Sequence, residues 1–229
     1  MNRKPWLAAV LAATAATSAQ ANRPLTTDTA DTILHHRCQF EPYLASIRSS
    51  GSATIRSTIL QLNCGVREDT QLGMAYSRSS ADGERSESLS AAGKTNLVEL
   101  KDGQTGIAVA YGVSAAKDSS TSWTHEASWF YGIATRSLRE GLLLHANLGW
   151  SRSQSARQNS TTWATALEWS PSPKLTLSAE AYGDDRNKPW IGCGAWSPLT
   201  EQFSINASYG VQRSNPRVKQ FTAGFNFEF

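Results

Sequence analysis

Cysteine is scarce in this 229-residue chain: there are three, Cys38, Cys64 and Cys193. None sits in a CxxC pair or at a metal-ligand spacing, which sets aside a cysteine-built metal site or redox motif. An excess of one charge is also missing. The 22 Lys and Arg nearly balance 19 Asp and Glu, and they are scattered, which excludes a nucleic-acid face. Long apolar runs are absent as well. The one early run, residues 6–16, falls short of the about 20 residues a spanning helix needs. Mean hydropathy is −0.39, which argues against a helical membrane protein. It does not argue against a membrane β-barrel, in which only every second residue of a strand faces lipid.

What is present begins with an export leader. Asn2-Arg3-Lys4 supplies a positive start, residues 6–16 the apolar stretch, and Ser18-Ala19-Gln20-Ala21 a small-x-small cleavage pattern. Cleavage after Ala21 makes Asn22 the mature N-terminus. The expected organisation is a signal peptide over 1–21, a polar periplasmic lead-in over 22–37 and a β domain over 38–229. The lead-in has no clear period. It is short enough to enter a barrel lumen and equally able to stay outside it.

From Cys38 onward, stretches of about ten residues alternate apolar and polar positions, as strands do. The last is the clearest: Phe221, Ala223, Phe225, Phe227 and Phe229 alternate with Gln220, Thr222, Gly224, Asn226 and Glu228. Residues 203–212, 175–182, 144–151 and 163–169 behave alike. Weaker versions occupy 38–49, 55–66, 70–79, 87–99, 105–115, 123–135 and 189–197. The sum is about twelve, an even number, as single-chain bacterial barrels require.

The breaks alternate between short turns (67–69, 101–104, 136–140, 170–173, 197–201) and mostly longer polar stretches (77–86, 114–122, 152–160, 183–188, 213–217). Short periplasmic turns and longer external loops are the membrane-barrel arrangement. Trp123, Trp150, Trp163 and Trp190 flank the long breaks, and Trp169 and Trp196 the short ones, as aromatic girdles at two interfaces would. A soluble β-sandwich also alternates, but the second face here is Gly, Ser, Thr, Asn and single charges, too small and polar for a dry core. The fold read from the sequence is all-β: an antiparallel transmembrane β-barrel in a Gram-negative outer membrane.

The segment Asn22-Arg23-Pro24-Leu25-Thr26-Thr27-Asp28, followed by Cys38-Gln39-Phe40-Glu41, resembles the opening of the outer-membrane barrel proteins grouped as the meta-pathway of phenol degradation family. The resemblance implies a channel or transporter-like role, with small hydrophobic or aromatic compounds as candidate solutes. The final strand also resembles the signal read by the barrel-assembly machinery, carried by Phe225, Phe227 and Phe229. Outer-membrane lipid, lipopolysaccharide and that machinery are therefore the expected partners, and no cofactor is implied.

If the polar face of each strand points inward, the lumen carries Glu41, Lys94, His145, Asn147, Glu168, Glu180, Asn206 and Glu228. Charges lining a pore set selectivity, but polar ladders that merely stabilise the interior are the commoner role. Glu228 should neighbour Glu41 across the seam. A barrel without transport, structural or adhesive, is the alternative function. A lipid-directed hydrolase is a third, weakened because His145-Ala146-Asn147 lacks a nucleophile at the His-x-Ser spacing. His35 and His36 adjoin Cys38, yet neighbours on an extended segment point apart, so no metal site is read there. Cys38 and Cys64 are equidistant in sequence from Gly51 and face each other if the first hairpin turns there. Two unpaired thiols are the expected state and a cross-strand disulfide the alternative. Residues 184–188 read as a solvated loop or lipopolysaccharide contact.

Overall fold

The computed structural model describes residues 25–229. The leader over 1–21, its cleavage after Ala21 and the start of the lead-in lie outside those residues. Twelve strands follow in chain order: β1 (Cys38–Ser49), β2 (Ile55–Gly65), β3 (Thr70–Ala81), β4 (Glu84–Val98), β5 (Thr105–Asp118), β6 (Thr124–Arg139), β7 (Leu142–Ser153), β8 (Gln158–Ser172), β9 (Leu175–Asp184), β10 (Trp190–Pro198), β11 (Phe203–Gln212) and β12 (Val218–Glu228). Each pairs with its sequence neighbours and β12 pairs with β1, so the sheet closes into a barrel. Among the described residues no helix is long and apolar enough to cross a membrane.

The seam shows what closure accomplishes. Phe40 lies opposite Phe227 and Leu44 opposite Ala223. At the rim, the Cys38 N–H donates to the Phe229 carbonyl at 2.8 Å and the Phe229 N–H to the Cys38 carbonyl at 2.9 Å. No strand edge is left with unpaired donors and acceptors, and in hydrocarbon such groups are too costly to tolerate.

Side chains sort the opposite way from a soluble barrel. Leu44, Leu62, Met74, Phe130, Leu148 and Phe221 are exposed, while Lys94, His145, Gln39, Asn63 and Thr135 are buried. Apolar groups cover the outside and polar groups fill the inside, the distribution a lipid surround selects.

Three features differ from the sequence reading. First, the polar stretches over 77–86 and 114–122 form strand ends rather than long loops: β3 and β4 meet at the two-residue turn Asp82-Gly83, and β5 runs on to Asp118. Both turn residues have positive φ, 49° and 81°, the conformation an Asp-Gly hairpin favours. Beyond an apolar belt both faces of a strand are polar, so no alternation marks where the strand ends. Second, Trp190 and Trp196 face the lumen, not a girdle. Trp196 Nε1 donates to Ser204 Oγ at 2.8 Å, and Trp190 stacks on Tyr182 with ring centroids 6.0 Å apart. Gly210 on β11 lies beside both rings, where a Cβ would stand 3.5 Å from Trp190 and 3.6 Å from the Tyr182 hydroxyl.

Third, Cys38 and Cys64 are bonded, with Cα atoms 4.1 Å apart, where unpaired thiols were the expected state. The register places them directly opposite. The N–H and C=O of Cys38 are both spent on Phe229, so toward β2 the residue occupies a non-hydrogen-bonded position, where side chains of an antiparallel pair approach most closely. Cys193 is free and exposed.

Candidate functional site

Of the two placements open to the lead-in, residues 25–33 take the inner one: they enter the barrel. Leu25, Thr27, Asp28, Thr29, Ala30 and Ile33 are all buried. The segment is short-chained and polar, so it cannot form a core of its own. Once inside, its backbone groups need partners, and inward side chains of five strands, β3, β4, β6, β7 and β9, supply them in sequence.

At the rim, His35 bridges Gly65 of β2 and the His36 N–H donates to the Gly65 carbonyl at 3.1 Å. His36, with φ of 66°, turns the chain out of the lumen toward β1. A Cβ on Gly65 would lie 2.2 Å from the Leu34 carbonyl oxygen, so this position admits only glycine beside the strap. Further in, the Ile33 N–H donates to Gln71 Oε1 at 2.9 Å. Asn96 Nδ2 donates to the Ala30 carbonyl at 2.8 Å, and the Ala30 N–H to Thr135 Oγ1 at 2.9 Å. Ala30 packs with Ala108, Ala110 and Ile133; the small residues on β5 leave room for a second chain against that wall.

Asp28 is the centre of the arrangement. Its carboxylate accepts from Lys94 Nζ at 2.9 Å and from the Tyr131 hydroxyl at 3.2 Å. Lys94 also donates to the Thr29 carbonyl at 3.1 Å. Lys94 and Asp28 are 0% and 2% exposed, so neither charge has water as an alternative partner. Asn147 grips the same residue through its backbone, its Oδ1 accepting from the Asp28 N–H at 2.7 Å and its Nδ2 donating to the Asp28 carbonyl at 3.0 Å. Deeper still, the Glu180 carboxylate accepts from the N–H of Thr26 at 2.9 Å, the N–H of Thr27 at 3.0 Å and the Thr27 hydroxyl at 3.0 Å.

The strap leaves part of the lumen open. A cavity of about 60 Å³ remains between Leu25 and Thr26 on one side and Glu41, Tyr43, Gln61, Asn206, Gln220 and Thr222 on the other. Glu41 accepts from Asn63 Nδ2 at 3.4 Å. Glu168 and His145 stand apart from this cavity, with His145 Nε2 4.0 Å from the Glu168 carboxylate and its Nδ1 3.0 Å from Thr135 Oγ1.

The eight expected lumen residues thus fall into three groups. Lys94, Asn147 and Glu180 hold the strap, with His145 and Glu168 behind Thr135. Glu41 and Asn206 line the open part, which Glu180 also borders. Glu228 sits at the rim opposite Gln39 rather than Glu41, 3.8 Å from Arg37. Asp28, Gln71, Asn96, Tyr131 and Thr135 were not singled out from sequence. The strand alternation does put the last four on the inward face, and that was the signal to follow. Among the described residues no group of His, Cys, Asp or Glu could hold a metal ion.

A family model described as Uncharacterised conserved protein UCP029691 matches residues 8–229. No curated protein sequence matches the chain. Among solved structures, the KdgM porin in complex with disordered oligogalacturonate has a TM-score of 0.62 at 8% identity, covering 83% of this chain and 99% of that one. The NanC porin has a TM-score of 0.62 at 12% identity, covering 82% and 98%. Outer membrane phospholipase A from Escherichia coli has a TM-score of 0.51 at 10% identity, covering 83% and 92%. At such identities the likeness is one of fold.

Proposed function

The chain belongs to the family of Uncharacterised conserved protein UCP029691, and we propose that it is an outer-membrane channel of narrow bore that passes small hydrophilic solutes beside its N-terminal strap. The observation that carries this reading is the cavity left between the strap and the wall formed by β9, β11, β12, β1 and β2, in which Glu41, Gln61, Asn206, Gln220 and Thr222 stand among Leu25 and the tyrosines. Its lining of amides, hydroxyls and carboxylates can replace part of a solute's hydration shell. The resemblance of residues 22–41 to the phenol-degradation group favours hydrophobic or aromatic solutes; the hydroxyl, amide and carboxylate lining favours hydrophilic ones, and we adopt the latter.

A barrel without transport is the second reading, and the strap favours it, since it occupies much of the lumen. The lipid-directed hydrolase is disfavoured. His145 is fully buried and faces the lumen, and Asn147 is committed to the backbone of Asp28, so neither can reach lipid on the outer face. On this reading Phe225, Phe227 and Phe229 face lipid and are the segment offered to the assembly machinery.

Single-channel recording of the purified, leader-free protein in planar bilayers separates the first two readings. Small, discrete conductance steps are expected. A barrel shown to be folded by heat-modifiable gel mobility that gives no steps at any voltage contradicts the channel.

A further inference from the structure

The external end of the barrel, opposite the rim where Cys38 meets Phe229, carries a run of cations that no carboxylate answers. Strands β11, β12, β1 and β2 stand side by side in the closed sheet. Over residues 203–229 and 38–65 the acidic side chains are Glu41, which lines the lumen cavity, and Glu228, at the periplasmic rim beside Arg37. The external ends of the same strands and their connections carry Arg48, Arg56, Arg213, Arg217 and Lys219, all exposed. None of these five side chains has a hydrogen-bond or ion-pair partner among the described residues.

Three of them share the outward face. The register sets Arg48 of β1 directly opposite Lys219 of β12. Arg56 of β2 lies opposite Ser46, which makes it the diagonal neighbour of Arg48, within reach of long side chains. Like charges directly opposite one another destabilise a strand pair, so an anion held between them relieves a standing repulsion. Phosphate suits the position, since guanidinium binds it bidentately and ammonium as a point charge. Next on the same face, toward the periplasm, come Phe221 opposite Ser46 and then Leu44 opposite Ala223. Phe221 is 51% and Leu44 62% exposed. The cations therefore sit where the apolar belt ends, the level at which basic side chains meet lipid headgroups. Residues 184–188, the other candidate for such a contact, spend their polar groups internally. Asp184 accepts from the N–H groups of Arg186 and Asn187 at 2.8 and 2.7 Å, and Arg186 Nε donates to the Asn159 carbonyl at 2.7 Å.

We propose that Arg48, Arg56 and Lys219 form a binding site for a lipid-linked phosphate of the outer leaflet, that of lipopolysaccharide, with its acyl chains lying on Phe221 and Leu44. The exposed apolar surface directly below the cations is what favours a lipid-linked phosphate over a free one. The site needs the outward face to meet lipid and is independent of transport through the lumen.

The test is native mass spectrometry of the leader-free, detergent-solubilised protein, titrated with bisphosphorylated lipid A, the anchor of lipopolysaccharide, and with its dephosphorylated form. The intact protein should hold the bisphosphorylated lipid about tenfold or more tighter, the scale of one hydrogen bond to a charged group. R48Q/R56Q/K219Q should remove that preference, and K219R should keep it. The substituted positions are exposed, heat-modifiable mobility checks the barrel, and R48Q/K219Q is the reserve variant. Equal binding of the two lipids by the intact protein overturns phosphate recognition. A preference that survives the triple substitution in a folded barrel overturns these residues as the site. Displacement of the lipid by inorganic phosphate at equal concentration overturns the lipid linkage and marks a free-phosphate site. A barrel that keeps the lipid preference but passes no current contradicts the channel and upholds this site.

Discussion

Deleting residues 25–33 is expected to raise single-channel conductance several-fold while leaving the barrel folded. The strap crosses the lumen from Gly65 on β2 to Glu180 on β9, and the lumen of a twelve-stranded barrel is too narrow for a chain segment and a wide pore side by side. The barrel does not need the strap to complete its sheet. Every strand already has two neighbours, and Leu34 to Arg37, which tie the chain to the rim, are retained. The wall groups that lose the strap, Gln71, Asn96, Thr135, Asn147 and Glu180, would exchange its backbone for lumen water, which an open pore supplies. Planar-bilayer recording checks the step size, and heat-modifiable mobility checks the fold. Unchanged conductance from a folded barrel would mean that the strap does not limit the path.

Asp28→Ala is expected to release the strap without deleting it. Removing one member of a buried ion pair strands the other and typically costs about 3–5 kcal/mol. The Lys94 ammonium would lose its carboxylate, and the Tyr131 hydroxyl and Thr29 N–H would lose an acceptor. At the lower end, about 3 kcal/mol is a roughly 150-fold shift from docked toward undocked strap. The variant should show the large conductance level of the deletion, alternating with the small one. A cysteine placed at Thr27, fully buried in the intact protein, should become reactive to a water-soluble thiol reagent. Adding Lys94→Met should restore part of the docking, because the stranded charge is then gone; the double substitution separates the ion pair from simple loss of contact. Equal labelling at position 27 with and without Asp28→Ala would remove Asp28 as the latch.

How much of this was legible beforehand differs from element to element, for physical reasons. β1, β9 and β11 begin where the alternation begins, at Cys38, Leu175 and Phe203, because one face of each meets an apolar surround and the other a polar lumen. The outer ends of β4 and β5 were not legible as strands, since residues such as Glu84 to Ser86 and Ala116 to Asp118 are small or polar on both faces. The inward direction of Trp190 and Trp196 was hidden because Gly192 and Gly194 leave that face of β10 with little hydropathy signal. The strap was the least legible part. It is held through backbone N–H and C=O groups, which carry no sequence signature, and its partners are scattered from Gln71 to Glu180. The inward positions could be named in advance, but which of them would hold a peptide could not.

The account stands or falls on which face of the strands meets lipid. The most direct measurement places single cysteines at Ile205, Asn206, Ala207 and Ser208 of β11 in a Cys193→Ser background, with Cys38 and Cys64 left bonded, and treats the bilayer-reconstituted protein with a small water-soluble methanethiosulfonate. The expected result is reaction at 206 and 208, which border the open lumen, and protection at 205 and 207. Reaction at 205 and 207 with protection at 206 and 208 would mean a soluble barrel with an apolar interior, and would contradict the membrane channel.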